Sequence, residues 1–229
     1  MEATQIGIEL FWNEVAKKSS HFDPEAIVVI NGKKMGNASE SQRKMYSSCT
    51  MTDIFAAQHF ANPPKRVVDI GCGLGVNSIP MALGGAHVTA IDSSEESLKT
   101  FQRFCKKASC PSANVRLVKG NLVTISSYFG PYDLALVIDT LPYIPPANLR
   151  STIDKIHACL ADGGLLIGTI FTEGTDPNVI EFMEKLGAHF YPNETTFVTN
   201  LLQYSGFKVL KLEEREHGGF RFKARKISA

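Results

Sequence analysis

The sequence predicts an α/β protein: a doubly wound, mostly parallel sheet that closes in an antiparallel C-terminal hairpin, preceded by a helical N-terminal cap. From about residue 65 short β-branched runs alternate with helical patterns, the mark of successive βαβ units. A glycine turn, Gly71-Cys-Gly73-Leu-Gly75, follows the first such run and opens a helix, where sheets of this kind bind ligands. Near the end, Phe207 to Arg215 and Phe220 to Lys226 flank His217-Gly-Gly219, which predicts two strands joined by a glycine turn.

Taken in order, Arg66 to Ile70 reads as the first strand, with a helix after the glycine turn through roughly Leu83. His87 to Ile91 is the second strand, Ser93 or Ser94 to Lys107 a helix, and Val115 to Val118 the third strand. Tyr132 to Ile138 is a nearly continuous apolar run, as expected of a central strand covered on both faces. Leu149, Ile153, Ile156 and Leu160 recur at helical spacing, and Asp162-Gly-Gly164 predicts a stop before a strand over Leu165 to Ile170. Helices are then expected near Asn178 to Leu186 and Thr195 to Tyr204.

Residues 1–64 look different: a helical pattern around Ile6 to Lys17, a Gly/Ser/Asn-rich stretch from Asn31 to Ser48, a helix near Thr50 to Phe60, then Pro63-Pro64. They predict an N-terminal cap or packing segment, with a second domain over 65–229. The 229 residues carry 24 Lys+Arg against 23 Asp+Glu, so no overall field draws in a polyanion. No apolar run reaches membrane-spanning length and the N-terminus lacks a signal-peptide pattern; a cytoplasmic protein with no membrane partner is expected. Five scattered cysteines have no metal-ligand spacing, so free thiols and no metal site are expected.

Chemistry concentrates at the strand ends. Glycines at 71, 73 and 75 allow a tight turn and close approach of a ligand, and amides at a helix start supply donors. Val76 stands where a dinucleotide fingerprint needs its third glycine, which counts against a nicotinamide enzyme. Asp92 ends the second strand, placed to accept from ribose hydroxyls or to cap the helix after Ser93.

The run VVDIGCGLGVNSIPMALGGAHVTAIDSSEESL resembles the first two motifs of class I S-adenosylmethionine-dependent methyltransferases. YDLALVIDTLPYIPP, LADGGLLIGTIF and FYPNETTFVTNLLQYSGFKVL resemble their later motifs, so the likeness covers roughly residues 65 to 226. The resemblance implies a Rossmann-like sheet and S-adenosylmethionine as cofactor. It implies that Asp69 and the Gly71, Cys72, Gly73 and Gly75 backbone hold the methionine part, that Asp92 with Ser93 holds the ribose, and that Asn121 and Leu122 flank the adenine. Members often carry aspartate where Asn121 stands; an Asn oxygen can still accept from adenine, and a plain Gly-Asn surface turn is the other reading.

Asp139, Thr140 and Tyr143 follow the central strand, where the resemblance places the meeting of methyl group and acceptor. Asp139, Tyr143 and His189 are the candidate bases; a cofactor contact or helix cap, a packed aromatic wall and a loop histidine are the respective alternatives. Cys72 suits close packing better than nucleophilic work, and His157 reads as a boundary residue. No Asn-Pro-Pro-Tyr or Asp-Pro-Pro-Tyr tetrapeptide or Pro-Cys pair follows the central strand, which disfavours DNA as substrate. A small-molecule acceptor, methylated on O, N, S or a metalloid, is expected, since the pattern resembles small-molecule and metalloid methyltransferases, the tellurite-resistance type included. A protein acceptor and a non-catalytic scaffolding module are the alternatives. Seven bases among the last 22 residues (Lys208, Lys211, Arg215, Arg221, Lys223, Arg225, Lys226) are expected to guard solvated strand edges, with an RNA or acidic-protein contact as the alternative.

Overall fold

A computed structural model describes residues 29–30, 33–34, 64–125, 128–170, 191, 194–214 and 219–228. The chain divides into two compact units, parting in the described region between Lys119 and Gly120.

The first unit holds the parallel strands β3 (Arg66–Ile70), β4 (His87–Asp92) and β5 (Val115–Lys119). Arg66 pairs with His87 and Val88 with Val115, so β4 lies between the other two. All of β3 and β4 beyond the first residue is buried, which explains their continuous apolar pattern. Helix α1 (Ser78–Leu83) follows β3. Helix α2 (Glu95–Lys107) follows β4, starts at the N-cap Ser94, whose side chain accepts from Ser97 N–H, and carries Glu95 and Glu96 in its first turn and Lys106 and Lys107 in its last. Both charge placements favour the helix dipole.

The second unit holds β6 (Tyr132–Val137), helix α3 (Pro146–Cys159), β7 (Leu160–Ile170), helix α4 (Thr195–Tyr204), β8 (Phe207–Glu214) and β9 (Phe220–Lys226). β6 and β7 are parallel, whereas β7 with β9 and β8 with β9 are antiparallel. Helix α3 ends earlier than its apolar spacing predicts, because Leu160 already pairs with Tyr132 while Leu165 pairs with Leu134. Ala161, Asp162, Gly163 and Gly164 therefore form an irregularity opposite Asp133 rather than a helix stop. A larger difference concerns the C-terminal bases: β9 is an interior strand, and Arg221 and Lys223 are 6% and 4% exposed. They do not guard an edge; Lys208 and Lys211, on the terminal strand β8, are exposed as expected.

Two short antiparallel strands, β1 (Val29–Ile30) and β2 (Lys33–Lys34), lie in the segment read as a helical cap. The Asn31-Gly32 dipeptide between them is a strong hairpin signal. The other expectations for residues 1–63 lie outside the described residues, as do the helix near Asn178 to Leu186 and His189. His157 is half-buried and meets the Phe207 ring edge-on, centroids 5.1 Å apart. Cys72, Cys105, Cys110 and Cys159 are free thiols.

Candidate functional site

In the first unit the predicted residues Asp69, Gly71, Cys72, Gly73, Gly75, Asp92 and Ser93 come together at the carboxyl ends of β3 and β4. Backbone geometry explains the glycines. Gly75 has φ +86°, and a Cβ there would lie 2.7 Å from the Phe101 ring, so both conformation and space require glycine. Gly73 has φ +52°, but among the described residues a Cβ would meet nothing within 4 Å, so open space lies beside the turn.

The turn's own amides are spent differently from the expectation. Gly71 and Cys72 N–H both donate to Ile91 O, and Gly75 N–H donates to Cys72 O. Gly73 N–H donates to Asp92 Oδ2 at 2.8 Å, and Ser94 N–H donates to Asp92 Oδ1 at 2.8 Å. Asp92 thus ties the glycine turn to the start of α2, while Ser94 is the cap. At four positions the turn supplies shape and an acidic wall rather than donors.

Asp69 is buried and accepts from Ser78 Oγ at 2.7 Å. Burial pushes its carboxyl up to about 7; the Ser78 hydrogen bond pulls the other way and the nearby Asp92 charge adds to the rise. Burial, then the charges of Asp92 and Asp69, hold the Cys72 thiol well above its ordinary value, so it stays protonated and is no nucleophile. Asn77, which the sequence reading passed over, lies between the turn and Ser78. It is buried, yet its Oδ1 has no hydrogen-bond partner among the described residues. A polar residue following a glycine turn was the only available signal for it.

In the second unit Asn121 and Leu122 follow β5. Asn121 Oδ1 accepts from Val123 N–H at 2.9 Å, a local turn, and Leu122 O accepts from Tyr128 Oη at 2.7 Å. An amide oxygen has a second lone pair, so this turn does not prevent acceptance from a ligand.

Asp139, Thr140 and Tyr143 gather just after β6. Asp139 has φ +50°; its N–H donates to Thr169 Oγ1 at 2.6 Å, and Thr169 Oγ1 donates to Asp139 Oδ1 at 2.7 Å. Asp139 is not the helix cap the sequence allowed: Thr140 heads the short turn Leu141–Tyr143 and makes no side-chain cap. Thr140 Oγ1 instead donates to Ile138 O at 2.9 Å. Burial, then the Asp139 charge, raises the Tyr143 phenol above its ordinary value, so Tyr143 is a neutral phenol. Among the described residues no group of three or more His, Cys, Asp or Glu could hold a metal ion, and no helix is long and apolar enough to cross a membrane.

A glycine turn between two buried acids, at the carboxyl ends of parallel strands, defines an adenosyl-binding class of α/β fold. Residues 67–164 match the family model of a methyltransferase domain. The ubiquinone biosynthesis O-methyltransferase of Caulobacter sp. (strain K31) is 33% identical over 103 residues, covering 44% of this chain and 39% of that protein. The carboxy-S-adenosyl-L-methionine synthase of Psychrobacter arcticus is 28% identical over 116 residues, 49% of this chain and 43% of that protein. The chain thus spans about two fifths of the length of these curated relatives. The magnesium protoporphyrin IX methyltransferase of Synechocystis PCC 6803, solved with bound S-adenosylhomocysteine, superposes with a TM-score of 0.72 at 19% identity, covering 98% of this chain and 99% of that one. At that identity the likeness is one of fold.

Proposed function

We propose that this chain transfers the methyl group of S-adenosylmethionine to an O, N or S atom of a small molecule. The observation that carries the reading is the acidic glycine turn. Asp69 is buried with a raised pKa, Asn77 Oδ1 is buried without a partner, and open space lies beside Gly73. Such a site fits a ligand that brings a cation and hydrogen-bond donors, and S-adenosylmethionine brings a sulfonium, an ammonium and a ribose diol. Relatives named for small-molecule acceptors, a quinone precursor pathway and a porphyrin, support a small acceptor here.

Asp69, Asn77 and the Gly71 to Gly75 backbone would hold the methionine part, Asp92 with Ser93 the ribose, and Asn121 and Leu122 the adenine. When bound, the sulfonium supplies a methyl group on a leaving group that is already good, so much of the chain's task is orientation and exclusion of water. Asp139, Thr140 and Tyr143 would line the acceptor, with Tyr143 donating a hydrogen bond as a neutral phenol. His189 is a further candidate base. Residues 1–64 would act as a cap for the acceptor; removing residues 1–48 then abolishes turnover and spares cofactor binding.

The test is formation of S-adenosylhomocysteine from S-adenosylmethionine with catechol, 2-mercaptoethanol and histamine as O, S and N acceptor probes. Acceptor-dependent release supports the reading. Binding of the cofactor without release, in the full chain and with all three probes, contradicts methyl transfer to small molecules.

A further inference from the structure

Helix α2 ends in a closed turn whose two outer positions are both cysteines. The C-cap is Ala108, and Ser109 after it takes the left-handed backbone, φ +53°. Ser109 N–H donates to Lys106 O at 3.2 Å, and Cys110 N–H donates to Cys105 O at 2.9 Å. These two bonds define a Schellman motif, in which the side chains at the positions of Cys105 and Cys110 meet. Here they meet as a hydrogen-bonded pair of thiols. Standard bond lengths across the backbone bond from Cys110 to Cys105 keep the two Cα atoms within about 7 Å, the reach of a disulfide.

Exposure sets the pair apart from the other described thiols. Cys72 and Cys159 are buried, whereas Cys105 and Cys110 are half-buried and within reach of a small reagent. Two apolar side chains are the ordinary occupants of this contact; two sulfurs add the capacity to bond. Burial, then the neighbouring Cys110, pushes the Cys105 thiol up to about 12. Burial also raises Cys110, while its hydrogen bond to Cys105 pulls the other way. Both stay protonated at neutral pH, so the pair lacks the low-pKa thiol of a fast redox catalyst. Sulfurs of high thiol pKa are poor leaving groups as well, so a bond between them, once closed, reopens slowly.

We propose that Cys105 and Cys110 are a modification site, oxidised by a small-molecule disulfide, RSSR, to a disulfide that clasps the C-terminal end of α2. One cysteine thiolate attacks RSSR, forming a mixed disulfide and expelling RS⁻. The other attacks the protein sulfur of that mixed disulfide, closing the bond between Cys105 and Cys110 and expelling a second RS⁻. The two cysteine protons end on the two RSH, so the pair loses two electrons and RSSR gains them. The clasp lies at the opposite end of α2 from Asp92 and the Ser94 cap, so it stands independently of the adenosyl reading.

The experiment equilibrates the full chain, folded or unfolded in urea, with graded ratios of reduced and oxidised glutathione, then alkylates it and digests it with trypsin. Trypsin cuts after Arg103, Lys106, Lys107 and Arg116, so the clasp is read by mass as a two-chain fragment joining 104–106 to 108–116. The folded wild type should yield this fragment and need about tenfold more reduced glutathione to open half of it than the unfolded chain. Ser109→Gly, which adopts the left-handed backbone freely, should keep that difference. Ser109→Pro, whose fixed φ and missing N–H break the turn, should lose it. No linked fragment from the folded chain, or equal ratios for folded and unfolded chain, would overturn the proposal. So would pairing of Cys105 or Cys110 with another of the five cysteines, or the full tenfold difference in Ser109→Pro.

Discussion

The glycine turn of the first unit and the Asp139 turn of the second are both strand ends shaped by unusual backbone, but they are held by different means. At the glycine turn the residue type itself permits positive φ, and the nearby Asp92 carboxylate clips the loop to the next helix. At Asp139 the residue type resists positive φ, and the conformation is enforced by Thr169 on the neighbouring strand. The first arrangement is carried by local sequence and the second by tertiary contact.

The largest expected effect is at Gly75. Gly75→Ala places a Cβ against the Phe101 ring and keeps an unfavourable φ. Strain and overpacking together should cost roughly 2–5 kcal/mol, read from urea unfolding. Combining it with Phe101→Leu should recover part of the loss; an undiminished loss would remove the steric share.

The pH dependence of the ligand-free protein comes next. Asp69 in the fold titrates near 7 against an ordinary value of 3.8, so the fold favours its protonated form. The stability this contributes is fully present below about pH 4 and is lost as pH rises through about 7. The span corresponds to at most about 4 kcal/mol at roughly 1.4 kcal/mol per unit. Asp69→Asn, which can still accept from Ser78, should flatten that slope; an unchanged slope would assign it to other groups.

At Asp139 the usual order of residues should invert. Asp139→Gly should be more stable than Asp139→Ala by about 1 kcal/mol, because glycine adopts the left-handed conformation without a Cβ penalty. Equal unfolding midpoints would show that the conformation relaxes when the Thr169 bond is lost. The smallest effect is at the helix start beside the glycine turn: Ser94→Ala should cost about 1 kcal/mol through the lost bond to Ser97 N–H.

This contrast also explains what the sequence could and could not reveal. Strands β3, β4 and β9 stand close to where their β-branched or alternating runs predict, and Asp69, the glycines and Asp92 are recognisable because their constraints lie within a few residues. Thr169 was invisible, since a threonine near a strand end carries no mark of a partner 30 positions earlier. Asn77 was missed because an asparagine after a turn reads as ordinary helix initiation; only its buried, unpartnered Oδ1 singles it out. The sequence expected the C-terminal bases on strand edges, whereas Arg221 and Lys223 are buried on β9, which pairs with both β7 and β8; strand order is a tertiary property that composition does not carry.

The central claim, that the acidic glycine turn is an adenosyl cofactor site, is tested most directly by thermal unfolding of the full chain with S-adenosylhomocysteine, S-adenosylmethionine and NAD in parallel. A ligand at about 100 times its dissociation constant adds roughly 2.7 kcal/mol, and each kcal/mol moves the midpoint of a domain this size by about 2–4 °C. The account predicts a rise of several degrees with the two adenosyl ligands, none with NAD, and loss of the rise in Asp92→Ala. A rise with NAD alone, or no rise with either adenosyl ligand, would contradict it.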